Sequence, residues 1–275
     1  MNVYEIVTNK IIEKLEQGVI PWRKPWNNCE AVNWETQKPY GGINSILLEP
    51  GEYATFNKIS EVGGKIKKGE KCSIVVFWKW LENEDEEGKT EKIPLLRYYK
   101  VWEINRQVEG LESRNKVETF NHNPIENAEN IIDGFKDKPE IDFIGGRAVY
   151  KPFFDKVEVP RISNYKQPEE FYSTLFHELI HSTGHAKRLN RSTLVKNASF
   201  GDEVYSQEEL VAEIGSSMLC NIAQIDHAVI DNQVSYINSW LSKLKKDKSL
   251  IIKASGQAQK AVNYILNKEG EKETA

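Results

Sequence analysis

Cysteine is scarce in this chain. Three residues, Cys29, Cys72 and Cys220, are scattered over 275 positions with no CxxC pair. That odd set excludes a disulfide framework and a cysteine zinc cluster, and it points to a reducing compartment. Long apolar runs are lacking as well: none approaches the roughly 20 residues of a membrane-spanning helix. The N-terminus, Met1-Asn2-Val3-Tyr4-Glu5, has neither the basic start nor the apolar run of a signal peptide. A cytoplasmic protein with no membrane partner is expected. Positive charge is not in excess either, since 37 Lys and Arg face 41 Asp and Glu. Any nucleic-acid site must therefore come from local placement of cations. No GxxxxGK[ST] phosphate loop, internal repeat or low-complexity tract is found.

What the chain does have is the stretch Phe176-His177-Glu178-Leu179-Ile180-His181-Ser182-Thr183-Gly184-His185. It contains HExxH. On an α-helix His177 and His181 lie one turn apart on the same face, so both rings can reach one Zn²⁺. Glu178 then stands where it can take a proton from an attacking water, as a catalytic base. The surroundings read as a helix. Pro168-Glu169-Glu170 suits a first turn, Leu175, Leu179 and Ile180 form an apolar stripe, and Gly184 marks the end.

A catalytic zinc site commonly has three protein ligands. One candidate for the third is Glu209, within Ser206-Gln207-Glu208-Glu209-Leu210-Val211-Ala212-Glu213. A carboxylate from a second, downstream helix is the gluzincin arrangement. Glu209 and Glu213 are spaced i, i+4, so one can ligate while the other orients a ligating histidine. The competing reading of Glu209 is a capping box with Ser206 as N-cap. Glu208 is expected to point away into solvent. The other candidate ligand is His185, which shares the face only if the helix runs on past Gly184; otherwise it lines the site. Lys187 stands where a metzincin would carry a histidine, which argues against that class. Tyr205 and Arg188 are candidates for oxyanion stabilisation or for the site wall.

Upstream, residues 3–17 repeat apolar positions at helical spacing. Pro21-Trp22-Arg23-Lys24-Pro25-Trp26 sets two tryptophans around two cations, a pattern able to stack bases and hold phosphate; a small core plugged by Trp22 and Trp26 is the alternative. Pro39-Tyr40-Gly41-Gly42-Ile43-Asn44 is a turn open to close backbone approach. Residues 53–58 read as a helix. Lys65, Lys67 and Lys68 sit in a Gly-rich basic loop suited to phosphate contact. Residues 73–80, with Trp78 and Trp80, and 95–102, with Arg97 and Tyr99, form a long hairpin with an acidic tip at 82–92. Aromatics interleaved with cations on a sheet suit single-strand binding; the bland reading is a half-buried sheet. Residues 105–124 read as a linker. Beyond it come a helix at 127–135, strands at 141–144 and 148–150, and an edge strand at 156–160 on which an extended peptide can pair. Helices at 227–245 and 253–267 close the chain.

Taken together, these residues resemble the ArdC-type antirestriction proteins of plasmids and conjugative elements. The resemblance rests on Pro21–Trp26, Pro39–Asn44 and Val101-Trp102-Glu103-Ile104-Asn105-Arg106-Gln107. It rests also on Ala148 and Tyr150 with Asp155 and Pro160, on His177–His185 with Arg188–Arg191, and on Glu208–Glu213. It implies an α+β protein of two domains. Residues 1–124 would form an α/β single-stranded-DNA-binding domain with an antiparallel hairpin sheet. Residues 125–275 would form a zincin-like, gluzincin-type, mostly helical metallopeptidase domain. The resemblance puts the metal on His177, His181 and Glu209, with Glu178 as base. Zn²⁺ is the expected ion, and Mn²⁺ is an acceptable substitute. The implied partners are single-stranded DNA and a protein or peptide substrate. An alternative is a non-catalytic protein that coats single strands around a structural metal site.

Overall fold

The computed structural model of the chain describes residues 2–17, 19–22, 31–84, 90–114, 124–144, 148–165, 167–195, 203–225 and 233–268. Side chains of 79–84, 90–94, 124, 195, 203–206 and 233–237 fall outside that description. The chain forms two compact units. The first takes Met1–Lys10 and Cys29–Glu118, the second Ile11–Asn28 and Thr119–Thr274. The expected division at 124/125 differs in one respect, because residues 11–28 belong with the C-terminal unit.

Helix α1 spans Val3–Glu16, as its periodicity predicts. In the first unit follow β1 (Ala31–Asn33), α2 (Ile43–Leu47), β2 (Gly51–Thr55), α3 (Phe56–Glu61), β3 (Lys65–Ile66), β4 (Ser73–Glu84), β5 (Thr90–Glu103), α4 (Ile104–Gln107) and β6 (Val108–Glu109). The expected helix over 53–58 is thus a strand running into a helix. Thr55 makes the switch, its hydroxyl accepting from the Lys58 N–H as an N-cap. The expected linker over 105–124 likewise starts with α4 and β6. The main sheet has the order β1-β2-β5-β4. β4 and β5 pair antiparallel from Ser73↔Val101 to Glu84↔Thr90, so the hairpin is longer than expected and its ladder runs into the acidic tip expected at 82–92. Alternation sends Tyr53, Val75 and Val101 to one face, packed with Ala31 and Leu48. Ala54 faces the other side, with Trp34, Ile59, Ile104 and Val108.

The second unit contains α5 (Pro124–Gly134), β7 (Glu140–Asp142), β8 (Val149–Lys151), β9 (Lys156–Glu158), α6 (Pro168–Thr183), α7 (Ser192–Val195), α8 (Glu203–Ala223), α9 (Gln233–Lys246) and α10 (Leu250–Ile265). Its sheet has the order β7-β9-β8. Strand β9, expected at the edge, is the middle strand and Val157 is fully buried; β8 is an edge instead. Helix α6 starts at Pro168 with Glu169 and Glu170 in its first turn and ends at Gly184. It is enclosed over most of its circumference: Phe171, Leu175, Phe176, Leu179, Ile180, Ser182 and Thr183 are all buried. Helix α8 packs closely on it at Gly215. A Cβ there would lie 2.7 Å from Ile180 Cδ1, so only glycine allows this approach. That close packing brings the glutamates of α8 to the histidines of α6.

Candidate functional site

His177 and His181 project from the last two turns of α6 with their Nε2 atoms 3.1 Å apart. Glu209 reaches both from α8: Oε2 lies 3.6 Å from His177 Nε2, and Oε1 lies 3.4 Å from His181 Nε2. Three donors around a tetrahedral Zn²⁺ at bond lengths near 2.0–2.1 Å would stand about 3.3 Å apart. The observed separations bracket that value, so the donor set fits a divalent ion. Helix α8 begins at Glu203, three residues before Ser206, which places Glu209 inside the helix rather than in a capping box.

Electrostatics favour a cation at this point even without metal. Burial alone would lower the pKa of His181, but hydrogen bonds to Glu208 and Glu209 outweigh it and hold the ring up to about 10. Burial would raise Glu209, yet its bonds to both rings hold it well below the usual carboxylate range. The same carboxylates would favour a divalent ion held by His177, His181 and Glu209. Glu178, largely buried, turns its Oε2 toward β8 and accepts the Tyr150 N–H at 2.7 Å.

Two expected neighbours have other positions. Glu213 is half-buried one turn beyond Glu209, and the bond to His181 Nδ1 comes from Glu208 at 3.3 Å. Glu208, expected in solvent, is only 3% exposed. It also accepts from Arg191 Nε at 3.1 Å, Arg191 Nη2 at 2.6 Å and Thr193 Oγ1 at 2.5 Å. Burial would raise its pKa, but the bonds to His181 and Arg191 outweigh that and hold it down to about 2. Sequence reasoning missed Glu208, Arg191 and Thr193. The one signal was a pair of adjacent glutamates, Glu208 and Glu209, in the segment that supplies the candidate third ligand.

Arg188 is not free to hold an oxyanion. Its Nη1 and Nη2 grip Asp155 at 2.7 and 3.2 Å, and its Nε donates to the Asp137 carbonyl. Asp155 also accepts from Tyr150 Oη at 2.9 Å. His185 lies beyond the end of α6, with Nδ1 3.9 Å from Asp155 Oδ2, and is outside the converging donor set. The Tyr205 side chain lies outside the described residues.

The residues proposed to meet DNA divide sharply. Trp22 is 4% exposed and packs edge-on against Trp240 at 6.4 Å, so it is a core residue of the second unit. Asn44 is buried too, bonded both ways to the Val76 backbone at 2.9 and 2.7 Å. Neither presents a surface to a base. Lys67 donates to the Arg106 carbonyl at 2.8 Å, while Lys65 and Lys68 are exposed. Arg23, Lys24, Trp26 and the side chain of Trp80 lie outside the described residues.

On the hairpin, register matters. Phe77 pairs with Arg97 and Val75 with Tyr99, so these share one face. There Tyr53, Tyr40, Phe77 and Tyr99 form a series of ring contacts at 6.5, 6.5 and 5.9 Å, running from the core to the 44% exposed Tyr99. Trp78 is exposed on the opposite face, edge-on to Tyr4 at 6.3 Å, with Tyr98 and Lys100 nearby on that face. Phe77 was missed, because cross-strand register is not readable from one strand.

Comparison with known proteins finds two family matches in succession along the chain. Residues 1–102 match the family described as the N-terminal domain of anti-restriction factor ArdC. Residues 126–257 match the family described as zincin-like metallopeptidase. Two crystal structures of the antirestriction ArdC protein from the R388 plasmid are similar throughout. The metal-free form has a TM-score of 0.74 at 33% identity, covering 96% of this chain and 97% of that one. The Mn(II)-bound form has a TM-score of 0.75 at 31% identity, covering 98% and 99%. A DNA primase TraC of Escherichia coli is 30% identical over 289 residues, but the chain spans only 20% of its length. The y4eC protein of Sinorhizobium fredii is 27% identical, with 91% of its length covered.

Proposed function

The chain belongs to the ArdC family of antirestriction proteins, and from that premise we propose that it joins single-stranded-DNA binding to metal-dependent peptide hydrolysis in protecting incoming plasmid DNA. The observation that carries this reading is the convergence of His177, His181 and Glu209 with Glu178 alongside. Zn²⁺ is the proposed ion, with Mn²⁺ as a substitute; the Mn(II) of the R388 relative supports a divalent site of this kind. When bound, such an ion would supply Lewis acidity and lower the pKa of a water toward neutrality.

The protein's own groups do the rest. Glu178 takes the proton of the attacking water and returns it to the leaving amine as the C–N bond breaks. The Tyr150 N–H holds the Glu178 carboxylate in place. Among the described residues β8 is an edge strand, and apart from the Tyr150 N–H its outer side offers backbone to an extended substrate. In the first unit, Tyr40, Phe77 and Tyr99 give stacking faces for bases, and Arg97, Lys65 and Lys68 serve phosphates. Action on incoming DNA places the protein in the cytoplasm; among the described residues no helix is long and apolar enough to cross a membrane.

The test uses the full chain. Glu178→Gln should retain metal and lose all cleavage of an unfolded protein substrate; unchanged cleavage would sink the hydrolytic mechanism. Replacing Tyr99 and Arg97 by Ala should weaken salt-dependent single-strand binding. Retained affinity would reject this face as the DNA surface. A second reading, a shield without peptidase activity, rests on the ring series that ends at the exposed Tyr99, which needs no metal. Under it Glu178→Gln is silent in an antirestriction assay, while the Tyr99 and Arg97 changes are not.

A further inference from the structure

We propose that Glu208, clamped by Arg191 and Thr193, is the positioning residue that makes His181 a metal ligand. The inference rests on the metal-site reading above. A neutral imidazole offers one nitrogen to a metal only when the other carries the proton. A carboxylate accepts and does not donate, so Glu208 Oε1, 3.3 Å from Nδ1, fixes the proton there. The lone pair of Nε2 is then directed at Glu209 and His177.

The clamp explains why two adjacent glutamates differ. Both Glu208 oxygens are occupied: Oε1 by Arg191 Nη2 and His181, Oε2 by Arg191 Nε and Thr193. The carboxylate can neither rotate nor swing in as a competing ligand. Arg191, itself 4% exposed, is anchored on the end of α6, donating to Thr183 Oγ1 at 2.6 Å and to the Ile180 carbonyl at 2.8 Å. One guanidinium thus references Glu208 on α8 to the helix that carries His181. Gly184 makes room for it: a Cβ there would stand 2.9 Å from Arg191 Nη2. Neither Arg191 nor Thr193 is among the converging ligand donors, so their effect on the metal would be exerted through Glu208.

The experiment is Zn²⁺ affinity of the full chain, measured by competition with a chromophoric chelator, beside the melting temperature of the metal-free protein. Glu208→Gln keeps volume and loses charge; it should weaken Zn²⁺ binding about 10–100-fold. Thr193→Val removes one clamp bond from a half-buried site and should give a smaller loss without lowering the metal-free melting temperature. In 15N-labelled, Zn²⁺-loaded protein, His181 should show Nδ1–H in the unaltered chain and a disturbed ring signal in Glu208→Gln. If Glu208→Gln does not fold, Thr193→Val decides alone. Variants that bind Zn²⁺ as tightly as the unaltered chain would overturn the positioning role while leaving the ligand set standing. An unaltered chain that binds no Zn²⁺ would overturn both.

Discussion

Adjacent glutamates on one helix point about 100° apart, and at this site that angle separates Glu209, the proposed ligand, from Glu208, the proposed support of His181. The HExxH pair was legible because its spacing is local to one helix. Glu209 was legible as a carboxylate downstream. Glu208 was not, because its direction depends on where α8 starts and how it crosses α6. The same limit hid Trp22, whose burial depends on Trp240, far along the chain. Truncating a buried tryptophan costs about 3–5 kcal/mol, so Trp22→Ala should lower the urea midpoint strongly and leave single-strand affinity unchanged under conditions where it is folded. A stable variant with weakened DNA binding would restore the stacking role. Asp155 allows a pH test. Burial would raise its pKa, but bonds from Arg188 and Tyr150 outweigh that and hold it below its ordinary carboxylate value. A depressed carboxylate contributes its stability above the unfolded pKa and loses it as pH falls through the folded one. Asp155→Asn keeps a residue tolerant of the local φ of 50°. It should cost about 2 kcal/mol at neutral pH, with the gap to the unaltered chain shrinking below about pH 4. A gap independent of pH in urea unfolding would refute the ion-pair account.

At the scale of elements, the long hairpin and α6 were readable because period and punctuation agreed. Strand order was not: residues 156–160 look like an edge strand in sequence, and only pairing with both β7 and β8 makes β9 central. The spacing of α6 and α8 was equally hidden, since a single glycine sets it. Gly215→Val would gain a few tenths of a kcal/mol in helix propensity. Against this, its side chain would collide with Ile180, which is fully buried and hemmed in. Overpacking of this kind costs about 1–3 kcal/mol, so the net effect should be destabilising. Pushing α8 away should also withdraw Glu209 and weaken metal binding. Ile180→Val, added to Gly215→Val, should recover part of both losses. Recovery of stability without metal affinity would show that the helix spacing does not control the site.

For the molecule as a whole, two units were legible from the change in residue character, but their composition along the chain was not. Residues 11–28 read as part of the N-terminal half, and the segment belongs to the second unit. Ile11, Ile12, Leu15, Ile20 and Trp22 are all buried. Ser217 Oγ bonds the Trp22 carbonyl, and Lys245 reaches Glu16 at 2.7 Å. Burying five large apolar side chains is worth roughly 10 kcal/mol at about 1.5–3 kcal/mol each. A domain's whole net stability is about 5–15 kcal/mol. A fragment of residues 125–275 lacks these five side chains and would expose the apolar surface they cover. It should be insoluble or lack a cooperative urea transition, and it should bind Zn²⁺ far more weakly than the full chain, although every proposed ligand is present. Adding residues 11–28 as a separate peptide should restore near-UV circular dichroism and metal binding together. A 125–275 fragment that unfolds cooperatively and binds metal like the full chain would show that the N-terminal segment is dispensable to the metal unit.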